Sequence, residues 1–328
     1  METRLSASGP APRAVVPVSR HVAFVGALTL GALYLPVPLY LVSLALFGLP
    51  HVIWEMAFLR SRYGARWPAI WWRALWVVLL AQAALRTAVW YGAYPAALSA
   101  ITDLLALLLL GAIVLLAPRA TRWRARLAGA ILAGVMFWLL ERGEVLSALL
   151  ILALLHNLTP LALAWDLARD HPPARRLAWA ISVMFAVPLL LAASGWQGGT
   201  ALLLESHGRL LDGQLPAAWS GAFRPALLSA VVLAQCLHYY CVIVLLPQAE
   251  RTRTARSVLP SRLRGAALLA AALLATYFLV DYPGARALYA VAAGAHAWLE
   301  WPVLLMALLS PVGRDSPPGP GGPSRTTD

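Results

Sequence analysis

Residues 37–59 read VPLYLVSLALFGLPHVIWEMAFL, and this stretch decides the fold class. It is long enough to cross a bilayer as one helix, and it contains one histidine, one glutamate and no basic residue. Apolar stretches of this kind recur from about residue 20 to about residue 310. The 328-residue chain is 61% hydrophobic and 12% charged, which is about half the charge of a soluble domain. The sequence therefore predicts an all-α, polytopic transmembrane helical bundle.

Ten spans are predicted, within a transmembrane domain over residues 20–310. A short segment, 1–19, precedes this domain, and a Pro/Gly/Ser-rich tail, 311–328, follows it and is predicted to be disordered. Pro36 and Pro38 mark a tight hairpin between the first two spans, and one long span in their place is the alternative. The predicted spans cover about 20–34, 37–59, 67–92, 95–117, 122–140, 144–167, 175–194, 225–247, 264–281 and 286–310.

The arginines predict the orientation of the spans. All 26 basic residues are arginines. With the N-terminus inside, 21 of them fall on the interior side and four on the exterior side, with Arg86 inside a span. Both termini and both terminal segments are therefore predicted to be cytoplasmic, with one long exterior loop over about 195–224. Merging the first two spans would leave the N-terminal arginines outside. Membrane orientation thus accounts for the net charge of +12, and no nucleic-acid partner is expected.

Four histidines lie in four different predicted spans that run in the same direction. Their distances from the inner ends of these spans agree within about one and a half helical turns. Imidazole is costly in hydrocarbon and rarely lies there without a partner, so four at one depth predict a shared metal site. The alternative for any one of them is an ordinary hydrogen bond between helices. The four are His51, His156, His238 and His296.

Glu55 and Glu300 each lie four residues after one of these histidines, on the same helix face. Each carboxylate can complete the coordination of the metal or hold an imidazole in place from outside it. Imidazole with carboxylate suits iron, zinc or manganese, and Fe²⁺ is the leading assignment. A haem remains an alternative. Cys236 and Cys241 point in different directions on one helix, so no disulfide and no thiolate site are expected.

Other residues near the same depth are predicted to support the site or simply to pack. Asn157, Gln235 and Tyr239 are candidates to position the ligands. Pro50 and Thr159–Pro160 are expected to open their helices beside a cavity. One further pair, Arg86 and Asp103, is expected to form a structural ion pair, with substrate anchoring as the alternative. The remaining histidines, which are His21, His171 and His207, are expected to be solvated.

The segment FGLPH at 47–51 resembles the start of the Gly-x-Pro-His segment of the bacterial Brp/Blh membrane β-carotene 15,15'-dioxygenases. The resemblance implies an all-helical protein of a bacterial inner membrane, with a four-histidine non-haem iron that cleaves β-carotene to retinal. Only His51 is carried over on a motif. The family continues with Gly-Ala-x-Asp and has a late HxxxH pair. This chain has Val-Ile-Trp-Glu55 after His51, and Tyr-Tyr-Cys after His238.

The leading functional hypothesis is an intramembrane metal-dependent enzyme, a non-haem iron oxygenase. Its substrate is expected to be lipophilic, either a carotenoid, another isoprenoid or a lipid. The alternatives are a haem-binding membrane protein, a proton-coupled transporter that uses histidine–glutamate pairs, and a non-catalytic membrane protein.

Overall fold

A computed structural model describes residues 18–93, 145–195, 224–254 and 257–309, with scattered helical positions between 102 and 142. Every regular element among the described residues is helical, as predicted. A 3₁₀ turn, Pro172–Ala174, joins α5 to α6, and a π-helical segment, Cys241–Leu245, joins α7 to α8. The α-helices are α1 Val18–Tyr34, α2 Pro36–Tyr63, α3 Ala69–Trp90, α4 Val145–Asn157, α5 Thr159–Asp170, α6 Arg175–Ala193, α7 Arg224–Tyr240, α8 Leu246–Thr254, α9 Ser261–Val280 and α10 Tyr282–Leu309.

Six helical segments of the described chain are long and apolar enough to cross a membrane, or seven if the bent pair α4–α5 is one span. The predicted spans 95–117 and 122–140 fall largely outside the described residues, as do most of the exterior loop 195–224 and both terminal segments. Two helical segments continue past the predicted inner ends of their spans. Helix α2 runs on to Tyr63 and α8 runs on to Thr254, because arginines assigned to loops continue the helices.

The chain reverses direction between α1 and α2, so the first two spans are separate. Leu35 leaves the helical conformation with φ −136° and ψ 49°, and Pro36 begins the next helix. A Cβ built on Gly31 would lie 3.3 Å from Leu39 Cδ2. Residues eight apart in one straight helix would be separated by about 12 Å, so the chain folds back here. The hairpin predicted from the prolines is confirmed.

The two proposed helix openings have different outcomes. Between α4 and α5 the helix breaks at Leu158 and bends by 41°, as Thr159–Pro160 predicts. The expectation for Pro50 is wrong, because α2 continues unbroken from Pro36 to Tyr63. A proline inside a helix removes one backbone hydrogen bond, and the apolar neighbours on both sides of α2 keep the helix together.

Helix α2 lies at the centre of the described bundle and packs against α7, α9 and α10. The main apolar core includes buried side chains from α2, α5, α6 and α7. Many large apolar side chains face outward instead, among them Leu279 and Val280 of α9, which are 88% and 80% exposed. Such a surface is stable in lipid and costly in water.

A buried ion-pair network joins the C-terminal ends of α2, α5 and α8. Arg62 is fully buried, its Nε donates to Asp166 Oδ2 at 2.7 Å, and its Nη1 lies 3.9 Å from Glu250 Oε2. Tyr63 also donates to Asp166 Oδ2, at 2.7 Å. In addition, Arg169 Nη1 donates to the Ala307 carbonyl of α10 at 3.2 Å. The remaining members of the network are Arg66, Asp170 and Arg253.

Each of the four histidine segments also contributes a residue to this network, ten to twelve positions further along the chain. The pairs are His51 with Arg62, His156 with Asp166, His238 with Glu250, and His296 with Ala307. Since the histidines meet at one level and the later residues meet at another, the four segments run in the same direction, as predicted.

The π-helical segment changes the direction in which the side chains of α8 point relative to those of α7. Leu246 donates its backbone N–H to the Cys241 carbonyl, five residues back, so this turn contains one extra residue. His51 and Arg62 are eleven residues apart, about three turns, and share a face of α2. His238 and Glu250 are twelve apart and would diverge by about 120° in a regular helix. The extra residue therefore allows both side chains to face the core.

Candidate metal centre

The structure brings His51, Glu55, His156, His238 and His296 into one cluster. One ligand atom from each residue lies within 4.8 Å of all the others. Two ligands on opposite sides of one ion, with bonds of about 2.1 Å, are about 4.2 Å apart. The cluster therefore has nearly the spacing that a single metal ion requires. His51, Glu55, His238 and His296 are fully or almost fully buried, and His156 is 13% exposed.

Glu55 is the acid at the centre of the cluster. Its Oε2 lies 3.2 Å from His238 Nε2 and 3.6 Å from His296 Nε2. It therefore faces imidazoles on α7 and α10 as well as His51 on its own helix. Its carboxylate supplies the negative charge that a divalent cation needs among neutral imidazoles.

Glu300 occupies a different place from Glu55. Its Oε2 lies 2.6 Å from Nδ1 of His156, on α4, and its carboxyl also interacts with that of Glu55. It is not among the five residues whose ligand atoms lie mutually within 4.8 Å. The contact has the distance of an ion pair without the geometry of a hydrogen bond, because both Glu300 oxygens and His156 Nδ1 lack a hydrogen-bond partner. Glu300 is therefore a candidate to orient the His156 imidazole from outside the five-residue set.

His51 is held in a defined orientation by its own helix and by α7. Its Nδ1 lies 3.2 Å from the Phe47 carbonyl oxygen, so a proton on Nδ1 leaves Nε2 free as a ligand atom. The Tyr239 ring stacks on the imidazole with centroids 4.1 Å apart, and the Tyr239 hydroxyl lies 3.3 Å from that of Tyr289. Gly48 allows Tyr289 this position, because a Cβ there would lie 2.9 Å from the tyrosine ring.

Two imidazoles of the cluster are hydrogen bonded to each other, because His51 Nε2 and His296 Nε2 lie 3.2 Å apart. Several other polar atoms of the cluster have no hydrogen bond of good geometry. Buried atoms that lack such a bond include both Glu55 oxygens and both ring nitrogens of His238. Buried polar groups normally have partners, so the unpartnered atoms of these residues make the cluster a group that could hold a metal ion.

A cavity of about 330 Å³ opens beside the cluster. Its wall includes His51, His156 and His296, so three of the candidate ligands border the space. The three residues predicted to support the site, Asn157, Gln235 and Tyr239, also line it, and Gln235 Nε2 donates to Ser43 Oγ at 3.4 Å. The remaining wall residues are Tyr40, Leu44, Arg86, Leu152, Ala153, Arg286, Tyr289, Ala290, Ala293, Gly294, Ala297 and Trp298.

The predicted pair of Arg86 and Asp103 is present. Arg86 Nη2 lies 2.6 Å from Asp103 Oδ2, and Gln82 Nε2 also donates to this carboxylate, at 2.9 Å. Arg86 Nη1 donates to the Ala290 carbonyl at 3.2 Å, where Gly294 leaves room for the guanidinium. The hydrogen bond to Ala290 therefore joins α3 to α10, and Arg86 lies in the cavity wall.

Three other predictions concern residues outside the cluster. Cys236 and Cys241 are buried free thiols, as expected. His21 is not simply solvated, because its Nδ1 is hydrogen bonded to the Tyr240 hydroxyl of α7. His171 lies at the end of α5 and is half-buried, and His207 lies outside the described residues.

The sequence pattern did not identify Tyr40, Arg286 or Tyr289 as residues of the site. Arg286 was counted only as one of the four exterior arginines. Its spacing offered a signal, because it lies three residues before Tyr289 and ten before His296 on one helix. Arg62 was likewise assigned to a loop, although it is the buried centre of the ion-pair network.

The chain matches no family model, no curated protein and no solved structure. The resemblance of residues 47–51 to the Brp/Blh family therefore stays a prediction. The function must be inferred from the chemistry of the cluster and its cavity.

Proposed function

We propose that this chain is an integral membrane, metal-dependent oxidoreductase with a non-haem iron centre and a lipophilic substrate. The observation that carries the proposal is the position of the cavity. It meets three imidazoles of a buried, five-residue ligand set inside a bundle of membrane-length helices. Such a position would suit a substrate that is dissolved in the bilayer.

Four imidazoles and one carboxylate would hold the iron, and the cavity borders His51, His156 and His296. Histidine and carboxylate ligands with an open position are typical of non-haem iron oxygenases. Bound iron would supply the activation of O2 for oxidation of the substrate.

The residues of this chain would provide geometry and exclusion of water. Glu300 orients His156, and Tyr239 and the Phe47 carbonyl fix the ring of His51. Ligands whose orientation is fixed in advance need no rearrangement when the metal or substrate binds. The cavity wall between the cluster and Arg286 holds the substrate beside the centre.

The proposed topology has ten spans with both termini in the cytoplasm of a bacterial inner membrane. The common direction of α2, α4–α5, α7–α8 and α10 supports it. This direction requires an even number of crossings between Trp90 and Val145, in agreement with the two spans predicted at 95–117 and 122–140. The excess of arginines on one side sets the orientation.

The geometry also bears on the alternatives. The His51 and His296 rings are 4.8 Å apart, as are those of His156 and His296, which leaves no space for a porphyrin between them. A proton-coupled transporter is favoured by one observation, the contacts of His156 with Glu300 and of His238 with Glu55. Such pairs can carry protons across a membrane.

One experiment separates these functions. The protein is purified in a neutral detergent, its metal content is measured, and an optical spectrum is recorded. O2 uptake is then followed after adding β-carotene, another isoprenoid or a fatty acid. The proposal expects bound iron, no Soret band and substrate-dependent O2 uptake. A Soret band, or proton flux in proteoliposomes without bound metal or O2 uptake, would replace it with the haem or the transporter function.

A further inference from the structure

The cavity beside the cluster has an uneven charge. Two arginines, Arg86 and Arg286, line it, and no aspartate or glutamate among the described residues does. The Arg86 charge is balanced by Asp103, whose carboxylate also accepts a hydrogen bond from Gln82. The positive charge of Arg286 has no such acidic partner among the described residues.

Arg286 is half-buried and forms no ion pair or hydrogen bond with any residue that the structure describes. The acid closest to it along the chain is Asp281, and that carboxylate is already engaged. It accepts the Gly284 N–H at 3.1 Å, at the start of α10, and the Tyr277 hydroxyl at 3.0 Å. Tyr40, on α2, lies near enough to Arg286 to interact with its charge and is also part of the cavity wall.

Arg286 has no acidic partner among the described residues, so an anion bound in the cavity would give its charge a partner. Its planar, five-donor fork matches carboxylate and phosphate groups. The tyrosine hydroxyls of Tyr40 and Tyr289 line the same wall and can donate to the same anion.

From this arrangement we infer that the cavity binds a lipophilic molecule with one anionic end, a carboxylate or a phosphate, held by Arg286. The inference rests on the proposed function for what happens at the histidines, but binding of the anionic end depends on Arg286 and not on the metal. An uncharged hydrocarbon such as β-carotene would leave Arg286 without an acidic partner among the residues that the structure describes. The substrate class is therefore closer to a fatty or isoprenoid acid, or to its phosphate, than to a carotene.

The spacing along α10 also determines which part of the molecule meets the ligands. Arg286 and His296 are ten residues apart, or about 15 Å along the helix axis. A molecule anchored at Arg286 places its acidic group away from the cluster and a carbon further along its chain beside it. The reacting position is therefore expected in the hydrocarbon part and not at the acid.

The test compares ligands that differ in their polar end. Palmitate, hexadecyl phosphate and hexadecan-1-ol are bound to the purified full-length protein in a neutral detergent, with and without added Fe²⁺. We expect at least one of the two anions to bind about tenfold or more tightly than the alcohol, since a charge-assisted bond is about twice as strong as a neutral one. Comparing the two anions distinguishes a carboxylate from a phosphate.

Three variants make this comparison specific. Arg286→Gln should abolish the preference for the anion while leaving affinity for hexadecan-1-ol unchanged. Arg286→Lys, which keeps the charge, should retain part of it. The control is Arg262→Gln, which removes the same charge from an exposed position at the start of α9 and should change nothing.

The inference is overturned by equal affinity for the anions and the alcohol, or by an unchanged preference in Arg286→Gln. An equal loss in Arg262→Gln would also overturn it, since the effect would then come from the general surface charge. Competition by sodium phosphate alone would contradict the lipophilic part. If the protein prefers the anions but never binds metal, even with added Fe²⁺, the inference holds and the proposed function fails. If the protein binds iron but shows no preference for the anions, the proposed function holds and the inference fails.

Discussion

His156 Nδ1 lies 2.6 Å from Glu300 Oε2, although the two residues belong to different helices, α4 and α10. The HxxxE spacing within α10 had placed Glu300 with His296. The carboxylate instead reaches across to the neighbouring helix, as Glu55 does toward His238 on α7. Each acid therefore joins two segments of the bundle, and the two acids are expected to have different roles.

Glu55→Gln and Glu300→Gln should have different effects on metal binding. Glu55 faces the ligand atoms of two histidines, so Glu55→Gln should lower metal occupancy as strongly as the loss of a histidine. Glu300 acts through His156, so Glu300→Gln should weaken metal affinity by about 10–100-fold. Titration of the metal-free variants with Fe²⁺ under anaerobic conditions measures both effects.

Gln248→Glu is a useful companion variant, because it adds a carboxylate in α8 outside the five-residue cluster. It should leave the affinity unchanged. Wild-type affinity in both glutamine variants would remove the two glutamates from the site, and an equal loss in both would contradict their separate roles.

The ion-pair network predicts a large cost for removing its central arginine. Arg62→Gln leaves Asp166 without its main counter-ion in a buried position, and breaking a buried pair in this way costs about 3–5 kcal/mol. Chemical unfolding in detergent should show this loss in the free energy of unfolding. Arg60→Gln, two residues earlier and exposed, is the control and should stay within about 0.5 kcal/mol of the wild type. A small effect at Arg62 would show that the network does not stabilise the bundle.

The π-helical segment predicts that one deletion is tolerated. Without Val244, which is 37% exposed, His238 and Glu250 are eleven residues apart and share a face of a regular helix. The deletion variant should therefore fold and bind metal as the wild type does. Deleting Ala57 from α2, which has no extra residue, should turn Arg62 by about 100° away from its partners and prevent folding. Metal content and size-exclusion profiles compare the two, and the opposite ranking would contradict the phase argument.

The topology is tested with reporter fusions. Fusions after residues 64, 120, 172 and 255 should report the cytoplasm, and fusions after 93, 143 and 210 should report the exterior. The 21-to-4 distribution of arginines gives this expectation, and the common direction of the histidine segments supports it. An exterior report at 172 or 255, with the others unchanged, would be inconsistent with four parallel segments.

The membrane-length helices and the histidine level could be predicted because both depend on local composition and on helical rise. An imidazole in an apolar segment needs a partner, and this rule identified the four histidines of the site, which are His51, His156, His238 and His296. The partners themselves could not be predicted, because the contact of Glu300 with His156 depends on how α4 and α10 pack. The bend at Leu158, two residues after His156, was indicated only by Thr159–Pro160.

The polar residues near span ends were the least predictable. Arg62 and Arg286 look in sequence like the arginines that flank membrane spans, and hydropathy does not distinguish a buried guanidinium from a solvated one. The π-helical turn after Tyr240 leaves no mark in the composition of residues 241–245, which are CVIVL. An extra residue is required here because His238 and Glu250 are twelve residues apart, whereas His51 and Arg62 are eleven apart. Only this comparison of the two separations indicates the π-helical turn.

The central claim is that the five-residue cluster binds one metal ion. The most direct measurement is the metal-to-protein ratio of the purified chain and of single alanine variants of His51, His156, His238 and His296. We expect about one ion per chain in the wild type, a sharp loss in each of the four variants, and no change in His171→Ala, which lies outside the cluster. Full occupancy in all four variants, or no metal in a folded wild type supplied with Fe²⁺, Zn²⁺ and Mn²⁺, would contradict the claim.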